Sequence, residues 1–246
     1  MQPQLNRQHN NVAFVLGNGK SRLLADAKAL LDIGVVYGCN AIYRELSPHY
    51  LIAVDVKMVN EIIGTGYNKS NEVWTNPNKG IADMSDLKFF HPHKGWSSGP
   101  TALHMAASKF YPEIYILGFD YQGNNGLVNN IYADTFNYKK SSEPATFYGN
   151  WLNQTQKTIK EFPGIQFYRV IEPGSFAPKI TALTVIANSV PTRSNNLKTK
   201  TRLKISSSNP IKSENKIASS DANTGKWWNH PNTSDPSANP MKINAV

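Results

Sequence analysis

Short apolar runs alternate with longer stretches of helical periodicity through the first 170 residues. Val12–Leu16 is uninterruptedly apolar and stops at Gly17-Asn18-Gly19. Further runs at Val35–Gly38, Tyr50–Val54, Glu72–Thr75, Leu87–Phe90, Glu113–Leu117 and Ile165–Val170 predict strands. Helices are expected at Ser21–Leu31, Val56–Ile63, Ser98–Phe110 and Asn150–Phe162. In the third of these, Ser98 offers a hydroxyl cap and Pro100 falls in the first turn. Ala102, Leu103, Ala106 and Phe110 then recur at helical spacing, so one face should be buried. Strands that alternate with helices, and are apolar on both faces, imply a mostly parallel sheet covered on each side. The expected architecture is a single Rossmann-like α/β domain over 12–189.

Two segments break that rhythm. Between Tyr121 and Gly149 runs a polar stretch too long for a routine connection, which suggests a lid or an acceptor-site excursion. From 191 to 246, Ser, Thr, Asn and Pro make up 28 of 56 residues. Such a segment buries too little apolar surface to offset its ordering entropy, so 190–246 is expected to be a disordered tail, and 1–11 a flexible N-terminus. Trp227-Trp228 is its one apolar spot.

Charge follows the same division. The chain carries +9, but residues 191–246 hold nine Lys/Arg against three Asp/Glu, leaving seventeen against fourteen before them. Nucleic acid is therefore a candidate partner only for the tail. The lone Cys39 excludes an intramolecular disulfide framework and a multi-cysteine metal site. No apolar run is long enough to span a bilayer and the N-terminus lacks a signal-like core, so a cytoplasmic protein is expected.

Candidate chemistry gathers where strands end. In an open parallel sheet, ligands lie beyond the carboxyl ends of the strands. Gly17-Asn18-Gly19, Cys39-Asn40, Asp55, Ser97-Ser98-Gly99 and Gly118-Phe119-Asp120-Tyr121 all fall there. Each has an ordinary explanation: Asn18 and Asn40 as left-handed turn residues, Asp55 and Ser98 as helix caps, Asp120 as a turn closer. Each also has a chemical one. Glycines admit backbone N–H groups close to a phosphate, amides can read a base edge or ribose, and the helix from Ser98 directs its positive end at an anion. The first turn is neither a P-loop nor a G-x-G-x-x-G dinucleotide fingerprint.

The order Val-Leu-Gly-Asn-Gly-x-Ser, Gly-Cys-Asn, Ser-Ser-Gly before an Ala-rich helix, Glu-Ile-Tyr-Ile-Leu-Gly-Phe-Asp-Tyr and the late Phe147-Tyr148-Gly149-Asn150 resembles bacterial sialyltransferases of glycosyltransferase family 42. The resemblance spans about residues 12–170. It implies one α/β domain, no metal requirement, and transfer of sialic acid from a CMP-sugar to a glycan hydroxyl. It places Asn18, Gly19, Asn40, Ser98, Gly99, Asp120 and Tyr121 at the nucleotide, and Tyr132 at the departing phosphate; Gly17 and Asp55 join the candidate nucleotide-binding residues from their places at strand ends. Two positions depart from the pattern. Asn150 stands where the family has a histidine held to be the general base, and Gly95-Trp96 where an arginine is expected. An amide cannot accept a proton near neutral pH. The rivals are therefore a non-catalytic nucleotide-binding module, or a phage- or virus-associated protein using its basic tail. His91 and His93 flank Pro92 in an expected surface turn, two histidines without a third ligand make no zinc site, and His104 reads as a partly buried helix residue.

Overall fold

The computed structural model describes residues 11–187 except 83; the basic tail and Trp227-Trp228 lie outside the described residues. Eight strands form one sheet: β1 (Val12–Leu16), β2 (Val35–Cys39), β3 (Tyr50–Ile52), β4 (Val73–Thr75), β5 (Lys88–Phe89), β6 (Glu113–Leu117), β7 (Gln166–Ile171) and β8 (Leu183–Ala187). Their order is β5-β4-β3-β2-β1-β6-β7-β8, and every neighbouring pair is parallel. The chain builds outward from β1 to β5, then crosses back to lay β6 on β1's other side. The α/β class expected from the alternation is the one found.

Three α-helices cover the sheet: α1 (Val56–Gly64), α2 (Ser98–Ala107) and α3 (Gly149–Glu161). Ala13 and Val15 of β1 face a core that includes Ala102, Leu103 and Ala106 of α2 and Ile159 of α3. Phe14 and Leu16 face the other way, toward Met58, Val59 and Ile62 of α1. This alternation is why β1 reads as a continuous apolar run: both of its faces are buried.

Three expectations need correction. No helix spans Ser21–Leu31; short 3-10 turns occupy Lys20–Leu24 and Ala29–Asp32. Between them the Asp26 carboxylate accepts the Lys28 N–H at 3.0 Å, a local bond that competes with continuation of the helix. The second difference is β8, an edge strand of sequence Leu-Thr-Val-Ile-Ala that the expected elements do not include, with Thr184 and Val185 exposed. Third, α2 stops at Ala107, and Phe110 takes a left-handed φ of 57°.

The segment 121–148 is neither helix nor strand. It folds back over the ends of β1 and β2, held by Ile131 N–H donating to the Asn18 carbonyl at 2.8 Å. A second anchor joins it to α1. The Glu61 carboxylate accepts from Arg44, Tyr43 and Asn137, while Arg44 also donates to Thr135 and to the Phe136 carbonyl. Burial alone would raise the Glu61 pKa, but the Tyr43, Arg44 and Asn137 bonds outweigh it and hold it below its ordinary 4.5. A depressed carboxylate pKa stabilises the fold above the unfolded value, and that contribution fades as pH falls through the folded one. Melting temperatures of the wild type and Glu61→Gln should therefore differ by a constant amount near neutrality and converge as the pH falls below about 4. A gap that persists at pH 2–3 would remove Glu61 ionisation as its source.

Candidate functional site

The reversal in the order of strand addition leaves β1 and β6 side by side at the switch point, where parallel sheets open a crevice. The turns that follow these two strands interlock. Gly17 N–H donates to the Leu117 carbonyl at 2.8 Å and Gly19 N–H to the Gly118 carbonyl at 3.0 Å. Gly118 N–H returns a bond to the Ser21 hydroxyl at 3.1 Å. A Cβ on Gly17 would stand 2.7 Å from the Gly118 carbonyl oxygen, so the two backbones can approach this closely only without a side chain there.

Around this crossing lies a cavity of about 350 Å³. The strand-end turns supply Gly17, Asn18, Gly19, Asn40 and Asp55; the start of α2 supplies Ser98 and Gly99; the turn after β6 supplies Asp120 and Tyr121. All nine candidate nucleotide-binding residues thus line one space, although they span more than a hundred positions of sequence.

The individual geometries divide into structural and open groups. The Ser98 hydroxyl accepts Val54 N–H at 3.1 Å and donates to Asn40 Oδ1 at 2.8 Å, fixing the end of β3, the end of β2 and α2 to one another. Asn40 sits at a left-handed φ of 52°, so its turn role and its place in the cavity coexist. Asn18 Nδ2 donates to the Tyr138 hydroxyl at 3.1 Å, and Asn18 Oδ1 is buried with no partner among the described residues. Asp55 caps α1 by accepting Lys57 N–H at 3.3 Å, yet stays exposed at the rim.

Asp120 is more constrained. Its Oδ2 accepts from Ser21 N–H at 3.2 Å and from Asn129 Nδ2 at 3.0 Å, which ties the two interlocked turns to the 121–148 segment. The Asp120 carbonyl accepts Arg169 Nη2 at 3.0 Å, and that buried guanidinium lies 4.8 Å over the Tyr121 ring. Tyr121 is buried at a left-handed φ of 53° and donates its hydroxyl proton to Thr155 at 2.8 Å. Its ring is a wall, and its phenol is spent inside the protein.

Tyr132 and Asn150 are not part of the lining. Tyr132 is buried against the α1 side of the sheet, where its hydroxyl is bonded to Glu45 and accepts Arg22 Nη1 at 3.1 Å. A phenol held that way has no free bond for a phosphate. Asn150 is exposed in the first turn of α3, while its neighbours Tyr148 and Trp151 reach the cavity. Among the described residues, no histidine lines it either. His91 and His93 are exposed, and His104 Nε2 meets Glu161 Oε1 at 3.0 Å on the outer surface.

The 121–148 segment contributes what the strand ends do not: Gln122, Asn129, Asn130, Asn137, Tyr138 and Lys139. Tyr138 stands out. Its oxygen accepts from Asn18 Nδ2 and, at 3.4 Å, from Ala41 N–H, so both of those bonds leave its own proton to give. Burial first of all pushes its pKa up to about 12, so the hydroxyl stays protonated. Among the described residues, Lys139 is the one cation in the lining, set against the carboxylates of Asp55 and Asp120. Composition marked this stretch as an excursion; nothing in its residue order singled out Tyr138, because its position depends on how the segment folds back. Among the described residues, no group of three or more His, Cys, Asp or Glu side chains is placed to hold a metal ion, and no helix is long and apolar enough to cross a membrane.

No protein-family model matches the sequence, and no curated protein sequence matches it. Among solved structures, the chain is similar to the MAf glycosyltransferase from Magnetospirillum magneticum AMB-1, at 14% identity and a TM-score of 0.47. The match covers 72% of this chain and 34% of that one, so the chain spans about a third of that protein's length.

Proposed function

We propose that the cavity binds a nucleotide-activated sugar, a CMP-sugar in the first instance, and that the protein transfers the sugar to a hydroxyl acceptor. The observation that carries the reading is the convergence of Gly17–Gly19, Asn40, Ser98-Gly99 and Asp120-Tyr121 on one space at the switch point. The choice of CMP rests on the motif resemblance.

The chemistry available follows from the lining. The first N–H groups of α2, at Ser98 and Gly99, have no acceptor inside the helix, and Ser97 adds no side-chain cap. A phosphate placed there meets the positive end of the helix. The Lys139 ammonium and the free Tyr138 proton add two donors. Asn18 and Asn40 offer amides to ribose and base, and the Tyr121, Tyr148 and Trp151 rings give flat apolar surface. In the reaction, the acceptor oxygen attacks the anomeric carbon and the bond from that carbon to the phosphate oxygen breaks. Its electron pair leaves with CMP, where Tyr138 and α2 stabilise the new charge. The acceptor proton passes to a carboxylate, for which the lining holds Asp55 and Asp120. A carboxylate can fill the role that Asn150 cannot.

A second reading, a nucleotide-binding module without catalysis, is favoured by one observation: neither family catalytic position, Tyr132 or Asn150, reaches the cavity. Calorimetric titration with CMP tests both readings, and CMP release from CMP-sialic acid separates them. Asn18→Ala, which removes an amide between the cavity and Tyr138, should weaken CMP about tenfold, the loss of roughly one hydrogen bond to a polar ligand. Absence of CMP binding to the wild type would overturn both. Binding without CMP release, across a range of hydroxyl acceptors, would select the module.

A further inference from the structure

Asparagine precedes glycine twice in the chain, at Asn18-Gly19 and at Asn125-Gly126. The pairing is reactive in itself. A glycine has no Cβ to keep its backbone nitrogen away from the side-chain carbon of the asparagine before it. The surroundings decide whether the two groups can meet.

At Asn18-Gly19 both are held. Gly19 N–H donates to the Gly118 carbonyl at 3.0 Å, and Asn18 Nδ2 donates to the Tyr138 hydroxyl at 3.1 Å. Gly19 is buried so closely that a Cβ there would lie 2.5 Å from Asp120 Oδ2. At Asn125-Gly126 neither group is held. The pair forms the tip of a tight hairpin. Asn124 N–H donates to the Leu127 carbonyl at 2.9 Å, and Leu127 N–H donates to the Asn124 carbonyl at 3.0 Å. Asn125 and Gly126 take φ of 51° and 79°, the left-handed combination that favours Asn-Gly in such turns. Both are exposed, and a Cβ on Gly126 would meet nothing within 4 Å. Among the described residues, neither the Asn125 amide nor the Gly126 N–H has a hydrogen-bond partner.

We propose that Asn125 is a site of spontaneous modification, converting to aspartate and isoaspartate. The Gly126 nitrogen attacks Asn125 Cγ. A bond forms between them as the Cγ–Nδ2 bond breaks, and Nδ2 leaves as ammonia with the proton that Gly126 gives up. Water then opens the cyclic imide. Hydrolysis at Cγ yields aspartate; hydrolysis at the main-chain carbonyl yields isoaspartate, whose backbone runs through Cγ and is longer by a methylene. A lengthened turn cannot close both bonds between Asn124 and Leu127. The disturbance reaches the cavity, because the Gly126 carbonyl accepts Ala145 N–H at 2.9 Å and both Val128 and Ala145 belong to the lining. The chemistry is independent of what the cavity binds.

The test ages the full chain in neutral buffer. Peptide mass mapping reads the exchange of NH2 for OH, and an isoaspartate-specific carboxyl methyltransferase marks the rerouted product. In the native protein Asn125 should convert about tenfold or more faster than Asn18, which reacts only when the interlocked turns open. In urea the two should convert at similar rates, since both precede glycine. Hydrogen exchange at the Leu127 and Ala145 amides should quicken in the aged protein. Asn125→Gly keeps the turn chemistry and removes the reactive amide, so the same amides should hold their exchange rates through ageing. Three results would overturn the proposal: native Asn125 converting no faster than Asn18, an aged chain without isoaspartate at this turn, or unchanged exchange at Leu127 and Ala145.

Discussion

Gly118→Ala should remove a large part of the protein's stability. Gly118 sits at a left-handed φ of 73°, and a Cβ there would stand 2.7 Å from the Gly17 carbonyl oxygen and 2.8 Å from its carbon. Both contacts are backbone, so no side chain can swing away. The left-handed conformation costs alanine about 1–2 kcal/mol. Forcing a methyl into a packed site costs about 1–3 kcal/mol more. The sum is comparable to the lower end of the 5–15 kcal/mol that holds typical domains together. Urea denaturation should show the midpoint falling with the slope unchanged. Gly126→Ala is the matched control: it has φ 79° but nothing within 4 Å of the added Cβ, so it should show only the conformational cost. Equal losses in the two variants would mean that the β1 and β6 turns are not locked together.

Tyr138→Phe and Tyr132→Phe should separate cleanly, the first in rate and the second in stability. Removing a donor aimed at developing charge costs about 10²–10³ in turnover, and Tyr138 is a cavity phenol with a proton to give. Under the transfer reaction proposed above, Tyr138→Phe should therefore slow CMP release from CMP-sialic acid by about that factor at saturating donor. Tyr132→Phe deletes a hydroxyl bonded to Arg22 and Glu45, away from the cavity. Its cost should be about 1–3 kcal/mol of stability, with CMP release unchanged. Equal slowing by both would return the phosphate role to Tyr132.

The division between those tyrosines shows what the residue order reveals and what it hides. Strands such as β1 and β6 are legible because both faces are buried and the apolar run is unbroken. The turn residues are legible because glycine, asparagine and aspartate at strand ends are favoured by the backbone geometry of those turns. β8, Leu-Thr-Val-Ile-Ala, carries a short apolar run of its own, beyond the last of the expected strands. The 3-10 turns after β1 leave no mark in the residue order, which reads there as helical periodicity. Tyr132 and Tyr138 lie six positions apart in one irregular segment; their opposite fates depend on Arg22 and Glu45 claiming one and Asn18 the other. Those contacts span 87 to 120 positions and leave no local mark.

Cys39, the chain's single cysteine, ends β2 at the floor of the cavity, and burial pushes its thiol up to about 12. So little thiolate at neutral pH, behind so little exposed surface, means that an alkylating reagent must wait for the strand to open. The protein thus carries its own chemical clock: labelling speed reports how often the central sheet parts. A tenant of the neighbouring space should slow that clock by the factor 1 + [L]/Kd, which turns one sulfur atom into a readout of occupancy.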